Sequence, residues 1–143
     1  MIKVKVMVLN KDAKIPKYGS VNAAGVDFVS PVDKTIMNGE TVCIGTGLGM
    51  AIPIGYEVQI RSRSGLSLKQ QVVVMNSPGT IDADYRGEIG IILTNCGTKA
   101  YEVHKGDKIA QGVLSIVPQM EFNQVSELDK TERGAGGFGH TGK

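Results

Sequence analysis

At 143 residues, the chain fits one domain and is long enough to bury a core, and a 41% hydrophobic share excludes a disordered polymer. Sixteen basic and fourteen acidic residues leave a formal charge of +2. That is too balanced for nucleic acid or any other partner gripped by bulk electrostatics, so an anionic ligand must be held by a local cluster.

The amino terminus, MIKVKVMVLNK, alternates charge with apolarity and reads as neither a signal peptide nor a spanning helix. A cytoplasmic protein with no membrane partner is expected. Ile2, Val4, Val6 and Val8 share one face of a strand, with Lys3 and Lys5 on the other. Further strands are expected over 41–44, 47–52, 71–75, 88–94, 100–103 and 109–117. In the segment from Tyr56 to Arg61, Tyr56, Val58 and Ile60 alternate with Glu57, Gln59 and Arg61. Turn chemistry separates these runs at Asn38-Gly39, Pro53-Ile54-Gly55, Ser77-Pro78-Gly79, Arg86-Gly87, Cys96-Gly97 and Lys105-Gly106-Asp107. Many short strands at this spacing predict an all-β sandwich, jelly roll or small barrel. One short helix is expected, about Ser64 to Gln70, with Leu66 and Leu68 available for burial. Aromatic residues make up 5% and Trp is absent, so the core must rest on Val, Ile, Leu and Met. Cys43 and Cys96 form no CxxC pair; two buried free thiols are expected in preference to a disulfide.

Three stretches carry candidate chemistry. RSRSGLSLK (61–69) ends a strand at Arg63, Ser64 and Gly65. Backbone N–H groups opening a helix beside Arg and Ser suit an anion; an ordinary Ser cap beside a solvated Arg fits equally. MNSPGTIDADYRGEIGI (75–91) reads strand, turn, strand, turn, strand, and Asp82 and Asp84 share a side if the segment is extended. These carboxylates can also be simple turn formers. Finally, RGAGGFGHTG (133–142) holds five glycines in ten residues. It suits either a disordered tail or a flap that wraps phosphate and stacks a ring. Walker A, HExxH and clustered His/Cys patterns are absent from the sequence, so no P-loop or protein zinc site is supported.

Taken in order, these runs resemble the homotrimeric dUTPase family. AAGVDFVS (23–30) is similar to its first motif, RSRSGLS (61–67) to the second and NSPGTIDADYRGEIGIILTN (76–95) to the third. KGDKIAQGVL (105–114) is similar to the fourth and RGAGGFGHTG (133–142) to the fifth. The resemblance implies a jelly-roll-like β barrel over 1–120, with residues 121–143 as an arm reaching a neighbouring subunit. It also implies a homotrimer whose three active sites are shared, dUTP as substrate, and Mg²⁺ held mainly by the substrate phosphates. The reaction implied is water attack at the α-phosphorus, releasing dUMP and pyrophosphate.

Residue by residue, Asp82 matches the general base. Asn76 and the run Gly79, Thr80, Ile81 and Asp82 match the uracil-reading segment, Tyr85 the residue under the deoxyribose, and Gly90 a further nucleoside contact. Arg63, Ser64 and Gly65 match the phosphate contacts of the second motif, and Gln111 that of the fourth. Arg133 matches the arm's γ-phosphate ligand and Phe138 the ring stacked on uracil, with Gly139 and Thr141 continuing the clasp. Asp27 matches the first-motif acid, expected to act through water on the metal or to position an Arg. His140 stands where the family's arm usually carries Ser, so its role is open. A dCTP deaminase shares parts of the third motif, but the IDADYRG run and the arm from Arg133 to Gly142 favour the diphosphatase. A non-catalytic trimeric binding module is the other alternative, and Asp82 beside the phosphate set argues against it.

Overall fold

The period-two alternation folds into short antiparallel ladders joined by glycine-bearing turns. The computed structural model describes residues 1–140. In chain order the strands are β1 (Lys5–Val8), β2 (Lys17–Tyr18), β3 (Val26–Val29), β4 (Lys34–Ile36), β5 (Thr41–Gly45), β6 (Leu48–Ala51) and β7 (Tyr56–Arg61). Helix α1 (Ser64–Gln70) follows, then β8 (Val72–Val74), β9 (Gly79–Ile81), β10 (Gly90–Asn95), β11 (Tyr101–Val103) and β12 (Lys108–Ile116).

The largest sheet has the order β2-β3-β12-β7-β9, a second runs β5-β10-β8, and β1-β6 and β11-β4 form two-stranded ribbons. The jelly-roll-like expectation is met as open sheets around one core rather than as a closed barrel. Apolar residues alternate inward, as expected for half-buried strands. Val58 and Ile60 from β7, Phe28 from β3, Ile91 and Leu93 from β10, and Val72 and Val74 from β8 all enter that core. Asn95 is a fully buried polar residue in this setting. Its amide donates to the Ile36 and Lys99 carbonyls at 2.9 and 2.8 Å, and its oxygen accepts the Gly97 N–H at 2.9 Å. Full satisfaction is what makes such burial tolerable.

Several expectations need correction. Only Lys5–Val8 of the amino-terminal run is a strand; Val4 and Val6 pack on the core, while Ile2 and Val8 are exposed. β2, β3 and β4 add to the expected strands, because two to four residues give alternation too few positions to register, while β9 is the middle strand expected within 75–91. Helix α1 has the expected bounds, but buries nothing: Leu66 is half-buried and Leu68 is 83% exposed. Its cap is Arg63, in extended conformation with no side-chain cap bond, so Ser64 is the first helical residue and not the cap. Both cysteines are free thiols, but exposed and not buried. β5 pairs with β10 through Cys43↔Ile92 and buries the neighbouring Ile44, which turns Cys43 outward.

Candidate active site

The first, second and fourth motifs meet on the five-stranded sheet. Lys17, Asp27, Gln111 and Arg61 lie directly opposite one another across β2, β3, β12 and β7. A register shift in β12 between Lys108 and Ala110 buries two consecutive residues, Ile109 and Ala110. Lys108 and Gln111 are thereby both left outside the core, where strict alternation would separate them. Asp27 forms ion pairs with Arg63 at 3.1 Å and Lys108 at 2.7 Å. Arg63 also donates to the Lys108 carbonyl at 2.9 Å. Gln111 donates to the Ser62 carbonyl at 2.9 Å, and Ser62 Oγ accepts the Val74 N–H at 2.8 Å. The sequence reading did not single out Lys108 or Ser62; both lie inside motifs that were recognised. Two cations against one carboxylate leave this cluster positive, with the exposed Ser64 and Gly65 beside it. Tyr101 has its hydroxyl pKa raised by burial and then by Asp107, while Arg63 pulls the other way.

The third motif touches this cluster at its start, where the Ser62 N–H donates to Ser77 Oγ at 3.4 Å, and carries Asp82 away from it. β9 does not pair with its chain neighbours β8 and β10; it adds to β7, with Val58↔Ile81, Gln59↔Thr80 and Ile60↔Gly79. Asn76 folds against Gly79, where a Cβ would stand 3.0 Å from the Asn76 amide nitrogen. Residues 82–85 turn rather than extend, with the Tyr85 N–H donating to the Asp82 carbonyl at 3.2 Å. Asp82 is exposed and, among the described residues, its carboxylate enters no ion pair. It borders a cavity of about 910 Å³ together with Thr80, Asp84 and Glu57. The Tyr85 hydroxyl donates to the Glu88 carbonyl at 2.9 Å, and Arg86 donates to the Ala83 carbonyl at 2.7 Å, which fixes the turn. Gly90 sits opposite Gly45, and a Cβ on it would come within 2.6 Å of Cys43 Sγ.

Within a single chain Asp82 and Arg63 stay apart. Since Ile81 faces Val58, Asp82 lies level with Glu57 at one end of β7, whereas Arg63 lies beyond the other end. Six residues of strand span about 20 Å. Among the described residues no hydrogen bond or ion pair joins 118–140 to the rest of the chain, although Gln119 lines the cavity beside Asp82. Arg133 donates to the Gly136 carbonyl at 2.9 Å, while Phe138 and Gly139 have φ of 47° and 86°. His140 curls back over Gly136, and Phe138 is fully exposed. Thr141 lies outside the described residues.

No group of three His, Cys, Asp or Glu among the described residues could cage a metal ion. Both oxygens of Asp27 are already in ion pairs. Asp27 could reach a hard cation through water, with phosphate oxygens as that cation's other ligands. No described helix is long and apolar enough to cross a membrane.

A family profile for dUTPase matches residues 11–142. A deoxyuridine 5'-triphosphate nucleotidohydrolase of Nautilia profundicola is 53% identical over 142 residues, covering 99% of this chain and 100% of that protein. One of Desulfotalea psychrophila is 54% identical over 130 residues, covering 90% and 87%. Among solved structures, a Staphylococcus bacteriophage 80alpha dUTPase variant with dUpNHpp superposes with a TM-score of 0.93 at 29% identity, covering 99% of each chain. An Asp-to-Asn mutant dUTPase from phage phi11 of S. aureus, described with a structural Mg(II) ion, gives 0.83 at 27% identity, covering 90% and 99%.

Proposed function

The chain belongs to the dUTPase family, and from that premise we propose that it is a dUTP diphosphatase, converting dUTP and water to dUMP and pyrophosphate. One observation carries the reading: an uncommitted carboxylate at Asp82 beside an open cavity, and a separate cationic cluster around Arg63, both built from the family's own motifs.

Asp82 accepts a proton from a water as that water's oxygen bonds to the α-phosphorus; the bond to the bridging oxygen breaks and pyrophosphate leaves. Asn76 and the backbone from Gly79 to Asp82 read the uracil edge, with Tyr85 below the deoxyribose and Gly90 along the wall. Fixed main-chain donors and acceptors separate uracil from cytosine, because the wrong base leaves buried polar groups unpaired. Arg63, the Ser64 and Gly65 backbone, and Gln111 hold phosphate oxygens. Asp27 holds Arg63 in place, and Mg²⁺ arriving with the triphosphate would neutralise charge there.

The 20 Å scale separating Asp82 from Arg63 within one chain supports a site shared between copies, in a homotrimer. The segment 121–140, which has no hydrogen bond or ion pair to the body among the described residues, supports the third contribution. Arg133 can grip two γ-phosphate oxygens, Phe138 stacks on the base, and Gly139 and Thr141 complete the clasp.

Incubation with dUTP, dCTP, dTTP and UTP plus Mg²⁺, with pyrophosphate and ammonia assayed, tests the reading. Pyrophosphate from dUTP alone, without ammonia, is expected. Ammonia from dCTP, or inertness toward dUTP, overturns it.

A further inference from the structure

Ser62, between Arg61 and Arg63, is half-buried, and its three polar groups are all engaged. Its N–H donates to Ser77 Oγ at 3.4 Å, and its Oγ accepts the Val74 N–H at 2.8 Å. Its carbonyl accepts from the Gln111 amide at 2.9 Å. One residue thus joins the second motif to the fourth, to β8 and to the start of the third.

The bond to Val74 meets a need of the sheet. β8 is an edge strand, and the Met75 N–H donates to the Ile92 carbonyl at 2.9 Å. Donors alternate in direction along a strand, so the Val74 N–H points away from β10. Val74 is 3% exposed, and a buried donor left without an acceptor is costly. The Ser62 hydroxyl supplies that acceptor. It thereby pins the chain to β8 as it crosses from β7 into α1.

The Ser62 carbonyl in turn decides which end of the Gln111 amide is presented. A carbonyl only accepts, so it can meet only the NH₂ end of the amide. One N–H of that group is spent on Ser62, and the second has no protein acceptor among the described residues. A phosphate oxygen also only accepts, so this second N–H suits it. Turned over, the amide would set its own oxygen against the Ser62 carbonyl and the phosphate alike. That oxygen lodges instead beside Gly25, where a Cβ would stand 3.0 Å from Gln111 Oε1.

We propose that Ser62 is a positioning residue for the phosphate half of the site. Its hydroxyl and N–H fix its carbonyl, and the carbonyl aims the Gln111 amide so that a donor meets the triphosphate. This rests on the reading of Gln111 as a phosphate contact.

The test compares two ligands on the full-length assembly. One is a non-hydrolysable dUTP analogue with Mg²⁺; the other is deoxyuridine, which carries no phosphate. Ser62→Ala removes the acceptor for Val74 and should weaken the analogue about three- to tenfold, the scale of a lost hydrogen bond or two. Deoxyuridine binding should not change. Ser62→Thr keeps the oxygen and should bind both ligands as the parent does. In a Gln111→Ala background, Ser62→Ala should have almost no further effect, because the group that it aims is gone. A role in stability alone would lower the urea midpoint and either spare both ligands or weaken both together, and either result overturns the proposal. So does a loss that persists undiminished in the Gln111→Ala background, or a Ser62→Thr variant as weak as Ser62→Ala. Should Ser62→Ala fail to assemble, Ser62→Cys, whose sulfur is a weak acceptor, is read instead and should move the analogue the same way by a smaller factor. Parent-like analogue binding by Gln111→Ala overturns instead the phosphate assignment on which the proposal rests.

Discussion

The Asp27 carboxylate holds two cations at once, with Oδ1 3.1 Å from Arg63 Nε and Oδ2 2.7 Å from Lys108 Nζ. The bulge in β12 makes this possible by leaving Lys108 outside the core, on the side of Asp27. Asp27→Asn keeps the shape and removes the charge, so Arg63 loses its anchor. A hydrogen bond to a charged group contributes ~1.5–3 kcal/mol, which translates to a roughly ten- to hundredfold loss in kcat/KM. Steady-state kinetics on dUTP checks this. A variant with parent kinetics removes Asp27 from the site.

Asp82→Asn tests the base. The amide cannot accept the water's proton, whereas the turn held by Tyr85 and Arg86 should survive. General-base catalysis contributes about 10²–10⁴-fold, so kcat should drop on that scale with dUTP affinity nearly unchanged. Single-turnover kinetics beside equilibrium binding of a non-hydrolysable analogue separates the two. Hydrolysis at the parent rate would remove Asp82 from its role.

Removing residues 133–143 should abolish most hydrolysis and leave the fold and assembly intact, because no hydrogen bond or ion pair among the described residues ties 133–140 to the body. Circular dichroism and light scattering report on the body, and pyrophosphate release reports on the site. Unfolding of the truncated chain would show the arm to be structural.

Phe138→Ala asks what the ring contributes. It is fully exposed in the chain alone, so its loss should not alter stability. Base–aromatic stacking is worth about 1–3 kcal/mol, and dUTP affinity should weaken five- to a hundredfold or so. Unchanged affinity would leave the ring without a base to stack on.

Gly112→Ala probes the core beneath the site. A Cβ there would lie 2.5 Å from Phe28 Cε2 and 3.2 Å from Val58 Cγ1, and both neighbours are buried. Such overpacking costs about 1–3 kcal/mol, read as a lower urea midpoint at fixed protein concentration. An unchanged midpoint would mean that the Phe28 ring shifts without strain.

Local order was legible in the chain itself. Period-two alternation from Tyr56 to Arg61 and turn pairs such as Asn38-Gly39 are consequences of side-chain direction and backbone sterics. Both act between near neighbours, so they can be read from letters alone. The five motifs were legible for the same reason, since each is a contiguous run. Which runs meet was decided in three dimensions. β9 leaves its sequence neighbours to pair with β7, the β12 bulge brings Lys108 to Asp27, and Cys43 faces outward instead of into the core. Strand pairing between distant segments depends on how the whole set of apolar faces closes over one core, and no local pattern encodes that choice. The same pairing sets Asp82 and Arg63 at opposite ends of β7, which is why the sequence lists the parts of the site while the folded chain divides them.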